Sequence, residues 1–172
     1  MIDENYLTSI FKKIEILFLN KEILNVLYVK DEDDDLLDNV IFLEMASENV
    51  VGVYVNGMNP IFSMSHFEQF DSFNLYERYS KLTECKVKEV PSFKIGAIKL
   101  AFNSEYNELI GIYLSDVSSK SSLFMIFSQD EISLEKAEEG IKELIVEKLN
   151  HMSLENILIY ERSESDVKWR VI

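Results

Sequence analysis

Residues 95–127 read IGAIKLAFNSEYNELIGIYLSDVSSKSSLFMIF, and this stretch decides the fold. Ile98, Leu100 and Phe102 alternate with Ala97, Lys99 and Ala101, while Ile110, Ile112 and Leu114 alternate with Gly111 and Tyr113. A period of two places successive side chains on opposite faces of a strand. Strands are therefore expected at 95–102, 109–114 and 123–127, with the polar residues 103–108 turning the first into the second. Connections this short join antiparallel neighbours, since a parallel crossover needs a dozen residues or more. The block reads as an antiparallel meander with one wetter face.

Upstream, residues 87–90 read as a further strand. Residues 65–82 carry Phe67, Phe70, Phe73, Tyr76 and Tyr79 at every third position. On one continuous helix that spacing walks around the axis by roughly 60° per step. Two short helices fit better, with Ser65 and Glu68 capping the first and Asn74 and Glu77 the second. Aromatic density of this kind reads as core packed on the sheet, or alternatively as a partner-binding surface.

Nearer the N-terminus, Tyr6, Leu7, Ile10, Phe11, Ile14, Leu17 and Phe18 recur at helical spacing, so 4–19 is expected to be a helix capped by Asp3. Residues 23–29 are apolar on both faces, like a central strand. Residues 40–45 and 50–55 form a hairpin turning at 46–49, with Ile41, Leu43 and Met45 on one face. Downstream, Leu134, Ala137, Ile141, Leu144, Ile145, Leu149 and Met152 make a helical stripe, predicting a helix over 134–150 capped by Ser133. Strands at 157–160 and 167–172 follow, joined by the polar turn 163–166. The order is one helix, three strands, a helical segment, four strands, a helix and two strands. It predicts an α+β fold with a mostly antiparallel sheet and three main helices: N-terminal, middle aromatic-rich, and 134–150.

The chain has 172 residues, 47% of them apolar and 12% aromatic, which is enough for a real core. Folding at this size buries roughly 70% of the extended chain's surface. No Gly/Ser/Pro linker interrupts the patterning, so 1–172 is expected to be a single globular domain. One cysteine excludes a disulfide scaffold, and 5 Gly with 2 Pro exclude a collagen-like or linker-rich chain. The opening Met1–Tyr6 lacks the basic start and apolar run of a signal peptide. The longest charge-free stretch, 49–67, contains Asn49, Asn56, Asn59 and Pro60, unlike a membrane span. With the lone Cys85, these features lead us to expect a cytoplasmic protein.

The distribution of charge is the most distinctive feature. The net charge is −14, which disfavours a nucleic-acid partner. Residues 1–30 balance, and residues 78–172 carry 16 acids against 13 bases. Residues 31–77 carry 11 acids with no Lys or Arg. Like charges gathered in one region repel each other. A solvated acidic loop is the plain explanation. A face that meets a cationic protein partner is the sharper one, because complementary charge speeds encounter and rejects wrong partners. The partner-binding candidates are Asp31, Glu32, Asp33, Asp34, Asp35 and Asp38, with Glu44 and Glu48 on or beside the hairpin.

Motifs for catalysis or metal binding are weak. An EF-hand loop begun at Asp31 needs Gly at its sixth position and Glu at its twelfth, but Leu36 and Phe42 stand there. Asp-x-Asp occurs within the acidic run without any glycine-rich phosphate loop beside it. Asp71 followed by Glu84-Cys85-Lys86 loosely spells a nuclease pattern, but Asp71 falls in an expected helix and the net charge repels a polyanion. His66 and His151 read as surface or capping residues. No cofactor, metal site or catalytic set is expected.

In size, charge and α+β layout the chain resembles the small, acidic, cytoplasmic immunity proteins that neutralise bacterial toxins. The resemblance rests on no motif and carries no residue over. It implies a protein that binds one toxin domain, often a basic nuclease, and blocks its active site. A chaperone for a secreted protein and a carboxylate-based, Mg-dependent enzyme are the alternatives. A chaperone should be a stable dimer with apolar grooves, whereas an enzyme should show a pocket with convergent acids of perturbed pKa.

Overall fold

The computed structural model describes residues 3–30, 33, 35–46, 50–57, 59–63, 92–135, 140–166 and 168–172. The aromatic segment 65–82 and the expected strand 87–90 lie outside the described residues, as do Asp31, Glu32, Asp34 and Glu48. Among the described residues the fold is α+β, with two α-helices and two antiparallel sheets.

Helix α1, Glu4–Phe18, starts where Asp3 accepts hydrogen bonds from the main-chain N–H groups of Asn5 and Tyr6. That cap satisfies donors the first turn would otherwise leave open. Its stripe Ile10, Ile14, Leu17 and Phe18 is buried, as the spacing predicts. The first sheet comprises β1 (Glu22–Lys30), β2 (Leu36–Met45), β3 (Val50–Tyr54), β4 (Ile61–Ser63) and β5 (Phe93–Lys94), in the order β4-β3-β2-β1-β5. The second comprises β6 (Ala97–Asn103), β7 (Glu108–Ser115), β8 (Ser122–Phe127), β9 (Ile132–Glu135), β10 (Ile157–Ser163) and β11 (Arg170–Val171), in the order β11-β10-β6-β7-β8-β9.

One hydrophobic cluster joins both sheets and α1. Ile23, Val26, Ile41, Leu43, Met45, Val51 and Val53 enter it from the first sheet. Ile98, Leu100, Phe102, Ile112, Leu114, Met125 and Phe127 enter from the second. At the far edge Trp169 stacks on Phe11, ring centroids 4.6 Å apart, and donates its indole N–H to Glu15 at 2.6 Å.

Several expectations change. The meander has no wet face: Ala101, Ile110, Tyr113, Phe124 and Ile126 on its other side are covered by Ile145, Leu149 and Met152 in and after helix α2, Ile141–Lys148. Ile110 does not share a face with Ile112 and Leu114. Ala101 pairs with Gly111 but Phe102 pairs with Leu109, so Ile110 is an extra residue in a β-bulge, and Leu109 takes the inner position instead.

The third change concerns the helix expected over 134–150, which is shorter. Ser133, Leu134 and Glu135 pair with Ile126, Met125 and Phe124 as strand β9. The open edge of β8 outcompetes helix propensity there. The helix begins after Gly140, whose φ of 75° is a left-handed conformation that costs glycine little. Only its C-terminal stripe, with Ile145, Leu149 and Met152 buried, matches the expectation. The last strand is also shorter than 167–172.

Candidate functional site

The strand pairings place the turns at two ends of the molecule. At one end, Val55 N–H donates to the Asn39 carbonyl at 2.9 Å, and Gly57 N–H donates to the Gln129 carbonyl at 2.8 Å. The Asn59 side-chain oxygen accepts from the Tyr6 hydroxyl at 2.8 Å and from Leu109 N–H at 3.0 Å. These bonds gather the start of β2, the β3–β4 connection, the β6–β7 and β8–β9 turns and the first turn of α1. Residues 149–156, leading from α2 to β10, reach the same end, where Ser104 N–H donates to the Asn156 carbonyl at 2.8 Å.

This end is acidic. Its turns and element termini present Asp3, Glu4, Asp33, Asp35, Asp38, Glu105, Glu108, Asp130, Glu131 and Glu155. Among the described residues its connections contain no Lys or Arg. Lys30 closes β1 here, and Lys148, the last residue of α2, is paired with Glu135. Among the described residues, the connections 19–21, 116–121, 164–166 and 168–169 at the opposite end mix Lys21, Lys120 and Lys168 with Asp116, Glu164 and Asp166. Further balanced pairs lie towards that end, Lys94 with Glu164 at 3.5 Å and Arg170 with Glu161 at 2.8 Å.

Of the residues singled out from sequence, Asp33, Asp35 and Asp38 are exposed together at the acidic end. Glu44 is elsewhere. It lies six residues along β2 from Asp38, roughly 20 Å at strand rise, and accepts from the Asn25 amide at 2.7 Å. The acids that join Asp33, Asp35 and Asp38 come instead from turns far away in sequence.

Between those turns lies a cavity of about 350 Å³. Ile110, Phe127, Leu149 and Met152 form an apolar floor, all buried, and Glu108, His151, Tyr106, Ser128 and Gln129 form the wall. Burial pushes the Glu108 carboxyl above the usual carboxylate range, and His151 partly offsets the shift. Tyr6 is pushed up as well, first by burial and then by the Glu108 charge. Tyr106 stands 57% exposed at the mouth. Asn107, at φ 61°, turns the chain so that Tyr106 and Glu108 flank the opening. Asn103 tightens the same turn by accepting from Glu105 N–H at 3.0 Å.

The sequence marks His151 only as a surface or capping residue and does not single out Glu108 or Tyr106, because each is isolated in the chain and only the turns unite them. The asparagines at 103 and 107 are the local signals of this turn, whereas the bulge at Ile110 shows only in the strand register. Among the described residues Glu108 is the one carboxylate lining the cavity, with His151 on the same wall. Among the described residues no group of three His, Cys, Asp or Glu side chains could hold a metal ion, and no helix is long and apolar enough to cross a membrane. No family model, curated protein or solved structure matches this chain.

Proposed function

We propose that this is an acidic binding protein of the immunity or inhibitor type, which neutralises a basic toxin domain by direct binding through its acidic end. The observation that carries the reading is the charge asymmetry between the two ends. Among the described residues, acids from five separate stretches meet at one end without intervening basic connections, while the connections 19–21, 116–121, 164–166 and 168–169 at the other end carry equal numbers of basic and acidic residues. Self-repulsion makes such a concentration costly, and a cationic partner relieves it. Exposed Tyr106 and Leu154 beside the acids supply apolar contact within a polar rim, the usual anatomy of a protein interface.

The test uses the immobilised chain to capture basic proteins, comparing wild type with the variant Asp33→Lys, Asp35→Lys, Asp38→Lys. The reading expects a captured toxin domain whose activity the wild-type chain abolishes at one-to-one stoichiometry. Its association rate should fall at least about tenfold in the variant at low salt, and the difference should shrink as salt is added. A partner held equally by both chains, or one whose activity persists when bound, overturns it.

A further inference from the structure

We propose that the cavity beneath Tyr106 is a socket for one arginine side chain presented by the cationic partner. The inference rests on reading the acidic end as the partner-facing one and adds the anchoring contact. Arginine requires two things of a pocket: apolar walls along its methylene stem, and acceptors at its head. The floor of Ile110, Phe127, Leu149 and Met152 meets the first requirement.

Glu108 meets the second. Among the described residues its carboxylate is the only one lining the cavity, and no Lys or Arg pairs with it. Ser128 and Gln129 add neutral acceptors on the same wall, and the exposed ring of Tyr106 offers a face on which a guanidinium can stack. A volume of about 350 Å³ falls at the small end of ligand pockets, which run from roughly 300 to 1,000 Å³. It suits a single side chain better than a large cofactor.

Charge selects the occupant. An anionic group would meet Glu108 within the cavity and Glu105, Asp130, Glu131 and Glu155 around the acidic end. A neutral apolar group would leave Glu108 desolvated without a partner, and that is costly for a carboxylate. A guanidinium forms a charge-assisted pair with it.

The direct test needs no partner. N-propylguanidinium is titrated into the isotope-labelled protein at neutral pH, with N-propylurea as the neutral counterpart of the same shape. Saturable shifts are expected at Ile110, Leu149, His151 and Met152. The affinity for N-propylguanidinium should exceed that for N-propylurea by at least about tenfold, and Glu108→Gln should remove the difference. Equal binding of the two probes by the wild-type protein overturns the socket whatever Glu108→Gln does, as does the absence of saturation or shifts centred elsewhere.

The two readings fail separately. Asp33→Lys, Asp35→Lys, Asp38→Lys lies outside the cavity and should change N-propylguanidinium affinity by no more than about threefold, since those exposed charges are screened. If the socket takes the probe but a captured partner binds Glu108→Gln as tightly as wild type, the partner does not use it. If the charge-reversed variant captures the partner normally, the acidic end is not the interface even though the cavity binds the probe.

Discussion

Asn59 shows how much one side chain can organise. Its single amide oxygen takes hydrogen bonds from Tyr6 on α1 and from the main chain of Leu109 on β7, so it ties helix, first-sheet connection and second sheet together. Asn59→Ala leaves two part-buried donors unpaired and should cost about 2 kcal/mol in urea denaturation. Tyr6→Phe removes only one of the bonds and should cost about 1 kcal/mol. The double variant should lose less than the sum, since both changes break the same contact.

Glu108 gives a pH signature at the same scale. Its carboxyl is raised in the folded protein, chiefly by burial, so the folded state holds that proton more firmly than the unfolded chain does. Its contribution to stability is therefore fully present below the ordinary carboxyl value of 4.5 and is lost as pH rises through the raised value. Glu108→Gln should have the higher denaturation midpoint at pH 7, with the advantage disappearing near pH 4. A constant difference across that range would contradict the burial argument.

At the scale of elements, α1 is the part most legible from sequence. Its cap and apolar stripe are local, and Asp3→Ala should cost about 1 kcal/mol. Strand β9 is the least legible. Leu134 fits a helical stripe and a strand equally well, and what decides is the unpaired edge of β8, which sequence spacing cannot reveal. The two readings differ in hydrogen exchange. As strand, main-chain amides of 132–135 should be protected alongside those of β8, with the protection lost together on mild destabilisation. Gly96 is a further element-level junction. A Cβ there would lie 2.9 Å from the main-chain nitrogen of Val117, so Gly96→Ala must move the β7–β8 turn and should cost about 1–3 kcal/mol.

At the scale of the whole molecule, a single cluster draws on both sheets and α1. Cutting it at its centre should therefore unfold everything at once. Phe102 is fully buried and touches Tyr6, Phe11 and Tyr160. Phe102→Ala should cost about 3–5 kcal/mol. In both proteins the far-UV circular dichroism and Trp169 fluorescence transitions should coincide, as for a two-state domain. Separate transitions would mean that the sheets fold independently.

Local patterning by itself determined the α+β class, the antiparallel meander, the capped first helix and the hairpin of β2 with β3. Each depends on residues within about ten positions of one another, where period and capping act directly. It also located the charge imbalance, because charge is additive along a chain. Tertiary structure alone decided which acids share a surface. Strand β2 carries Asp38 and Glu44 to opposite ends, while turns more than 60 residues away bring Glu105, Glu108, Asp130 and Glu131 to join Asp38. The cavity arises in the same way, from a bulge at Ile110, a turn at Asn107 and the end of α2. Antiparallel strands reverse the chain at every turn, so proximity at the ends of a sheet depends on register and strand order rather than on distance along the sequence.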